Sequence, residues 1–265
     1  MRRTLSALIV AAFVVVAIAQ AQTTEPGAPP LRSATEFLSD ALKQEQANLA
    51  ANRGSLWVDQ GATLWASTPA AAAGSGISKS CASCHGPLTT MKGVAARYPA
   101  VDDGTGDVFT LEMRINACRS RHQNSAPFAV ESDDLLALTA AIAVQSRGMP
   151  INISIDGKAR AKFETGRDWF YTRQGQLNLS CAQCHVDNVG RKLRGDTISS
   201  GVGTGYPVYR LEWNGMGSLH RRLRACQIGV RASELPFGSP EHVAIELYLA
   251  WRERGMAVET PALRR

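Results

Sequence analysis

Two pentads of the form Cys-x-x-Cys-His constrain this chain more than any other feature: Cys81-Ala82-Ser83-Cys84-His85 and Cys181-Ala182-Gln183-Cys184-His185. In each, two thiols are spaced to add across the vinyl groups of one haem, and the adjacent His is placed to ligate its iron. Both cysteines must reach one porphyrin edge while the His swings beneath its plane. A single short helical turn does this. The competing readings are a redox dithiol, a zinc half-site or a chance match. A zinc site needs two further ligand pairs at short spacing, and neither pentad has a second CxxC or an HxxxH nearby. Two covalently attached c-type haems are therefore expected, with Cys81, Cys84, Cys181 and Cys184 as attachment points and His85 and His185 as axial ligands.

The N-terminus agrees with that chemistry, because c-type haem is attached outside the cytoplasm. Residues 1–21 read as a secretory signal, with Arg2 and Arg3 followed by an apolar and small-residue stretch from Leu5 to Ala19. Cleavage is expected after Ala19 or Ala21. The stretch is short for a membrane span, and nothing later approaches a run of about 20 apolar residues. A periplasmic mature protein with no membrane span follows. Losing residues 1–21 removes two arginines and no acid, so the net charge falls from +6 to +4. This mild positivity, without a long Lys/Arg run interleaved with aromatics, excludes a nucleic-acid footprint and suits an anionic substrate or an acidic partner.

The second pentad belongs to a longer repeat. Tyr98-Pro99 follows the first pentad and Tyr206-Pro207 the second, and twenty residues after each Tyr stands a further Cys, Cys118 or Cys226. Both copies carry an Arg four residues before that Cys, Arg114 and Arg222. Both then run through an apolar helical pattern to Arg-Gly-Met, at 147–149 and 254–256. Self-similarity of this kind implies tandem copies of one unit.

Each copy reads as helical. Leu56 to Trp65 and Ala159 to Phe170 are expected helices ahead of the pentads. Glu131 to Arg147 and Glu241 to Arg254 are expected after the third cysteines, opened at Ser132 and Ser239 and capped by Gly148 and Gly255. Leu135, Leu138 and Ile142, and likewise Ile245 and Leu249, fall on one face. Ser33-Ala34-Thr35-Glu36 is a capping box expected to open a helix to about Ala51. Pro150 to Gly157, with Ile151, Ile153 and Ile155 alternating, reads as an extended connector, and Ala70 to Gly76 as a surface loop. The expected fold class is all-α: a signal peptide (1–21), an N-terminal helical extension (22–54) and two tandem class I cytochrome c-like domains (55–150 and 151–265).

The sixth iron position is open at this point. Met149 and Met256 repeat, but each follows a capping Gly and reads as anchoring a helix end in the core; Met113 and Met216 do not align. Cys118 and Cys226 repeat and have ligating chemistry, since a thiolate is a strong donor that lowers a haem's potential. A Cys118–Cys226 disulfide and two inert buried thiols are the alternatives. His122, His220 and His242 do not repeat, and each reads as a surface or capping residue.

Taken together the residues resemble the SoxA family, the larger cytochrome subunit of the SoxAX complex of bacterial thiosulfate oxidation. The resemblance rests on Leu56-Trp57-Val58-Asp59-Gln60-Gly61 with Leu64-Trp65, Lys79-Ser80 before Cys81, Tyr98-Pro99, Arg114-Ile115-Asn116 with Cys118-Arg119, and Arg222 with Cys226. It implies a heterodimer with the monohaem subunit SoxX. That complex oxidatively joins thiosulfate to a cysteine of SoxY in the SoxYZ carrier, as an L-cysteine S-thiosulfotransferase. Two electrons leave through haem to a downstream small cytochrome c. It also implies His85/Cys118 and His185/Cys226 as iron ligand pairs, the second site as the catalytic one, and Cys226 as a residue often found as a persulfide.

The local chemistry suits this assignment. Cys226 lies among Arg221, Arg222 and Arg224, which favour thiolate and attract a dianion, and Arg222 sits one helical turn before it on the same face. Arg222 can hold sulfonate oxygens bidentately, as a substrate-binding residue beside the catalytic Cys226, or it can pair a haem propionate. Two other functions remain: a thiosulfate dehydrogenase releasing tetrathionate, and a dihaem electron carrier with no substrate.

Overall fold

The computed structural model describes residues 30–71 and 76–265. The signal segment 1–21 and the centre of the small-residue loop lie outside the described residues.

The Ser33 box forms: its hydroxyl accepts from the Thr35 amide, and Glu36 accepts from the Ser33 amide at 3.1 Å. It opens only a 3-10 turn, Ala34–Phe37. The chain extends at Leu38, and Ser39 then caps a separate helix, α1 (Asp40–Ala47). The single helix expected to Ala51 is therefore broken in two by a second competent N-cap.

The first half continues with α2 (Ser55–Ala66), α3 (Cys81–His85), a two-stranded ribbon of β1 (Ala100–Val101) and β2 (Val108–Phe109), α4 (Leu111–His122) and α5 (Asp133–Val144). The second half repeats the helices and adds further strands. It runs α6 (Ala159–Tyr171), α7 (Cys181–His185), a β3/β4 ribbon (Lys192–Leu193, Asp196–Thr197), β5 (Val208–Arg210), β6 (Gly215–Gly217), α8 (Leu219–Gly229), α9 (Pro240–Arg252) and β7 (Ala262–Arg264), with β5 and β6 in place of β1 and β2. The capping residues match the expected ones: Ser132 accepts from Leu135 and Ser239 from His242.

Two crossings build the core, α2 on α5 and α6 on α9. Each sets a bare glycine against a backbone carbonyl. A Cβ on Gly61 would overlap the Ala137 carbonyl, and one on Gly166 the Ala244 carbonyl. Glycine lets the helix axes approach closely enough for the side chains around the crossing to interdigitate. Around the second crossing, the Phe163 ring lies 5.7 Å from Tyr248 and 4.9 Å from Trp251.

Helix α5 is buried all the way from Leu135 to Ala143 rather than along one stripe. Leu135, Leu138 and Ile142 pack with Trp65, Leu111 and Ile115, while Leu136 and Ala140 face Met216 of the second half. The interior is continuous between halves: Ala96 and Val108 join Ile151, Ile153, Ile155, Phe163 and Leu247 in one cluster. The connector is extended, with its three isoleucines buried as the alternation requires.

The Arg-Gly-Met repeats have a role the sequence did not reveal. Gly148 and Gly255 both take positive φ, 78° and 85°, and turn the chain out of α5 and α9. The segments that follow lie antiparallel and exchange equivalent hydrogen bonds. The Gly148 amide donates to Val258 and the Gly255 amide to Ile151; the Ile151 amide donates to Met256 and the Val258 amide to Met149, all at 2.9 Å. These pairs relate the halves by a local two-fold axis. Met149 and Met256 are only partly buried there, so they do not anchor the helix ends in the core.

The all-α expectation omitted seven short strands among the described residues. The third sheet, β6-β5-β7, matters most. In it β7, near the C-terminus, lies parallel to β5, with Val208 opposite Ala262 and Arg210 opposite Arg264. The extension locks onto this strand: Gln46 accepts from the Leu263 amide at 2.9 Å, and Asn52 donates to the Pro261 carbonyl at 2.8 Å.

Candidate functional site

Each pentad forms one helical turn with a serine cap. Ser80 accepts from Ser83 at 3.0 Å, and Ser180 forms a full box with Gln183. The caps begin the turn at the first cysteine of each pentad, so both thiols and the His project from a single turn.

At the second pentad, His185 Nδ1 lies 2.8 Å from the Ser199 carbonyl. A carbonyl only accepts, so the proton sits on Nδ1 and Nε2 keeps its lone pair for a metal. Burial pushes the His185 pKa down, which favours the neutral imidazole a ligand must be. Gly201, at φ 65°, lies against the ring: an added Cβ would stand 2.6 Å from His185 Cγ. At the first pentad the His85 ring is exposed and lies 5.8 Å from Trp65, whose indole N–H donates to the Gly86 carbonyl at 3.0 Å. This donor set fits a covalently held haem. Among the described residues, no three His, Cys, Asp or Glu side chains converge to hold a bare metal ion.

Cys118 on α4 and Cys226 on α8 are both free, and each lies beside its own pentad rather than beside the other. After burial, the charge of Cys118 raises the Cys81 thiol and that of Cys226 raises Cys181 and Cys184. His220 and His242 are buried, not surface or capping residues as expected. His220 Nε2 meets Glu246 at 2.9 Å, and His242 Nε2 lies 3.3 Å from Gln227. Both histidines are taken up by protein partners, and His122 is exposed.

The two arginines one turn before these cysteines look interchangeable in the sequence and are not. Arg114 donates to Asp102 at 2.7 Å, and Arg121 donates to both Asp102 oxygens at 2.9 Å. The Arg222 guanidinium has no hydrogen-bonding or ion-pair partner among the described residues, and the charge that most strongly favours its cationic form is that of Cys226. At the first site the arginine is already engaged by a buried carboxylate. The second presents a free guanidinium beside a cysteine. Sequence reasoning missed Asp102 and Ser199; Asp102 stands four residues after Tyr98, and the same place after Tyr206 is Arg210.

The chain is similar to known proteins along most of its length. The sequence profile of a family described as "SoxA/TsdA, cytochrome c domain" matches residues 60–151. The L-cysteine S-thiosulfotransferase subunit SoxA of Pseudaminobacter salicylatoxidans is 40% identical over 86% of this chain and 79% of its own length. The subunit of the same name from Rhodovulum sulfidophilum is 38% identical over 88% of this chain and 80% of its own. A crystal structure of SoxXA from P. pantotrophus aligns with a TM-score of 0.82 at 36% identity, covering 88% of this chain and 86% of that one. With identity of this order sustained across most of both chains, this c-type cytochrome belongs to the SoxA family.

Proposed function

We propose that this chain is a thiosulfate-conjugating cytochrome subunit, an L-cysteine S-thiosulfotransferase that joins thiosulfate to a cysteine of the carrier protein SoxY. The observation that carries this reading is the free Arg222 one turn before Cys226, set against an Arg114 tied to Asp102. In our reading the chain carries two haems, in tandem cytochrome domains spanning 55–150 and 151–265. Haem is held by Cys81 and Cys84 with His85 and Cys118, and by Cys181 and Cys184 with His185 and Cys226. The second site is the catalytic one.

The overall reaction takes the carrier thiol and thiosulfate to an S-thiosulfonate. One new bond forms between the carrier sulfur and the sulfane sulfur, and one proton and two electrons leave. Haem, when attached, supplies the electron acceptor. Arg222 offers paired N–H donors to the sulfonate oxygens, which fixes which end of the anion faces Cys226. Cys226 is the sulfur that meets the sulfane atom. The Ser199 carbonyl holds His185 in the tautomer that leaves Nε2 free, and the bare Gly201 leaves room for the ring in that orientation.

SoxX is the proposed partner, supported by the likeness to the SoxXA structure. The SoxYZ carrier and a small cytochrome c are proposed to dock in turn. We also assign residues 1–21 as a cleaved export signal and the periplasm as the location. No helix among the described residues is long and apolar enough to cross a membrane.

The test is conjugation of thiosulfate to a carrier thiol, read by mass spectrometry, with Cys226→Ala and Arg222→Ala. Both variants should lose conjugation while haem attachment at both pentads survives. Normal turnover by Cys226→Ala would overturn the mechanism. Tetrathionate formed without any carrier thiol would assign the dehydrogenase reading instead.

A further inference from the structure

The position four residues after the repeated Tyr holds opposite charges in the two halves. In the first it is Asp102, whose fully buried carboxylate takes up Arg114 and Arg121. In the second it is Arg210 at the end of β5, only 6% exposed. Its Nη2 pairs at 3.2 Å with Glu212, a side chain 66% exposed, and its Nε is buried with no partner. An exposed carboxylate at that distance neutralises a buried guanidinium poorly, and a buried N–H left unpaired calls for an explanation.

The surroundings locate Arg210 relative to the site. In the first half the Tyr98 phenol feels Arg114, Asp102 and Cys118 together; in the second the Tyr206 phenol feels Arg222, Arg210, Arg264 and Cys226. The residue four after the Tyr, the Arg before the third Cys and that Cys thus all act on the one phenol in each half. Arg264 is already engaged, by Glu259 at 2.9 Å. Arg210 and Arg222, one from β5 and one from α8, remain as two cationic groups with unmet donors, and both act on the same phenol as Cys226.

We infer that Arg210 is a second arm of the anion seat, binding the sulfonate of thiosulfate together with Arg222, and that the exchange of Asp102 for Arg210 determines which half takes the substrate. Two guanidiniums match a dianion in charge, and their separate elements hold it by more than one edge. This inference rests on the thiosulfate-conjugating reading above and adds a specificity residue to it.

The test uses the full chain with both haems attached and with its cytochrome partner, as Arg210→Gln and Arg210→Lys. Thiosulfate affinity is measured by calorimetry without carrier, and KM and kcat by conjugation to a carrier thiol. Arg210→Gln should raise both the thiosulfate Kd and KM on the order of tenfold or more, with haem content and ferric spectrum unchanged. Arg210→Lys, which keeps the charge but loses the fork, should recover part of the loss. A Kd within twofold of the parent protein would overturn the inference. So would an unchanged Kd with a shifted second-haem potential, which would make Arg210 a propionate partner. If Arg210→Gln fails to attach haem, Arg210→Lys decides by the same Kd comparison. Absence of conjugation by the parent protein would defeat the transfer reading alone, since the calorimetric comparison still judges Arg210.

Discussion

Replacing Gly166 by Ala tests the idea that the α6–α9 crossing sets the frame of the second site. In a free helix this substitution stabilises by about 1 kcal/mol. Here the new Cβ would overlap the Ala244 carbonyl oxygen, stand 2.5 Å from its carbon and lie 3.0 Å from Tyr248 Cβ. Carbon atoms in contact prefer about 3.5–4.0 Å, so the helices must part by roughly 1 Å. No rotamer change can relieve a clash between two backbones. Parting them also loosens Phe163 from Tyr248 and Trp251. Overpacking of this kind costs about 3 kcal/mol, the upper end of the usual range, which leaves a net loss of about 2 kcal/mol. For a chain of this size that lowers Tm by about 4–8 °C. The assay is thermal melting of haem-loaded protein by circular dichroism, with haem content matched. Gly229→Ala is the control: it ends α8, and an added Cβ there meets no atom within 4 Å, so its Tm should hold or rise. A Gly166→Ala protein melting at or above the parent would refute the reasoning.

Two further outcomes concern pH. Burial works against ionisation of Asp102, but hydrogen bonds from Arg121 and Thr105 overcome it and hold the carboxyl below its ordinary range. Its stabilisation is therefore present above the unfolded value near 3.8 and is lost as pH falls through the lower folded value. Asp102→Asn should be less stable at neutral pH and show a flatter acid limb in Tm against pH; an unchanged acid limb would contradict this. Glu253 behaves oppositely: burial pushes its carboxyl up to about 8, so the folded state holds a proton the unfolded chain has released. Stability should fall as pH rises between about 4.5 and 8, and Glu253→Gln should remove part of that slope. Glu112, raised by burial to about 7, accounts for a further part, and parallel Tm profiles for parent and variant would defeat the assignment.

The features legible in the sequence are those written in short stretches of it. The pentad turns, the serine caps and the helices around Trp65 and Phe170 depend on neighbours within a few residues, and they lie where the pattern puts them. The break at Leu38 was missed because Ser39 is as good a cap as Ser33, and local rules do not choose between them. The pairing of β5 with β7 joins residues about fifty positions apart and carries no local signature. The glycine crossings were written twice, as Gly61 and Gly166, but a helical glycine says nothing of what approaches it. At the site, the repeat pointed to both Arg-x-x-x-Cys pairs without separating them. What separates them is Asp102 against Arg210, visible in the sequence as a difference between copies but meaningful only once Asp102 is seen to bind Arg114 while Arg222 is left without such a carboxylate.

The two-fold ladder between Gly148–Ile151 and Gly255–Val258 has a consequence for divergence. A symmetric pair of separate subunits shares one sequence, so any charge introduced at one seat appears at the other. Joined end to end, the two halves keep the mutual cover of such a pair while each position is free to change alone. An acid could settle at 102 and a base at 210 without either spoiling its counterpart. The first half then serves as a wall for the second, supplying half of the ladder and part of the shared interior independently of any chemistry at its own pentad.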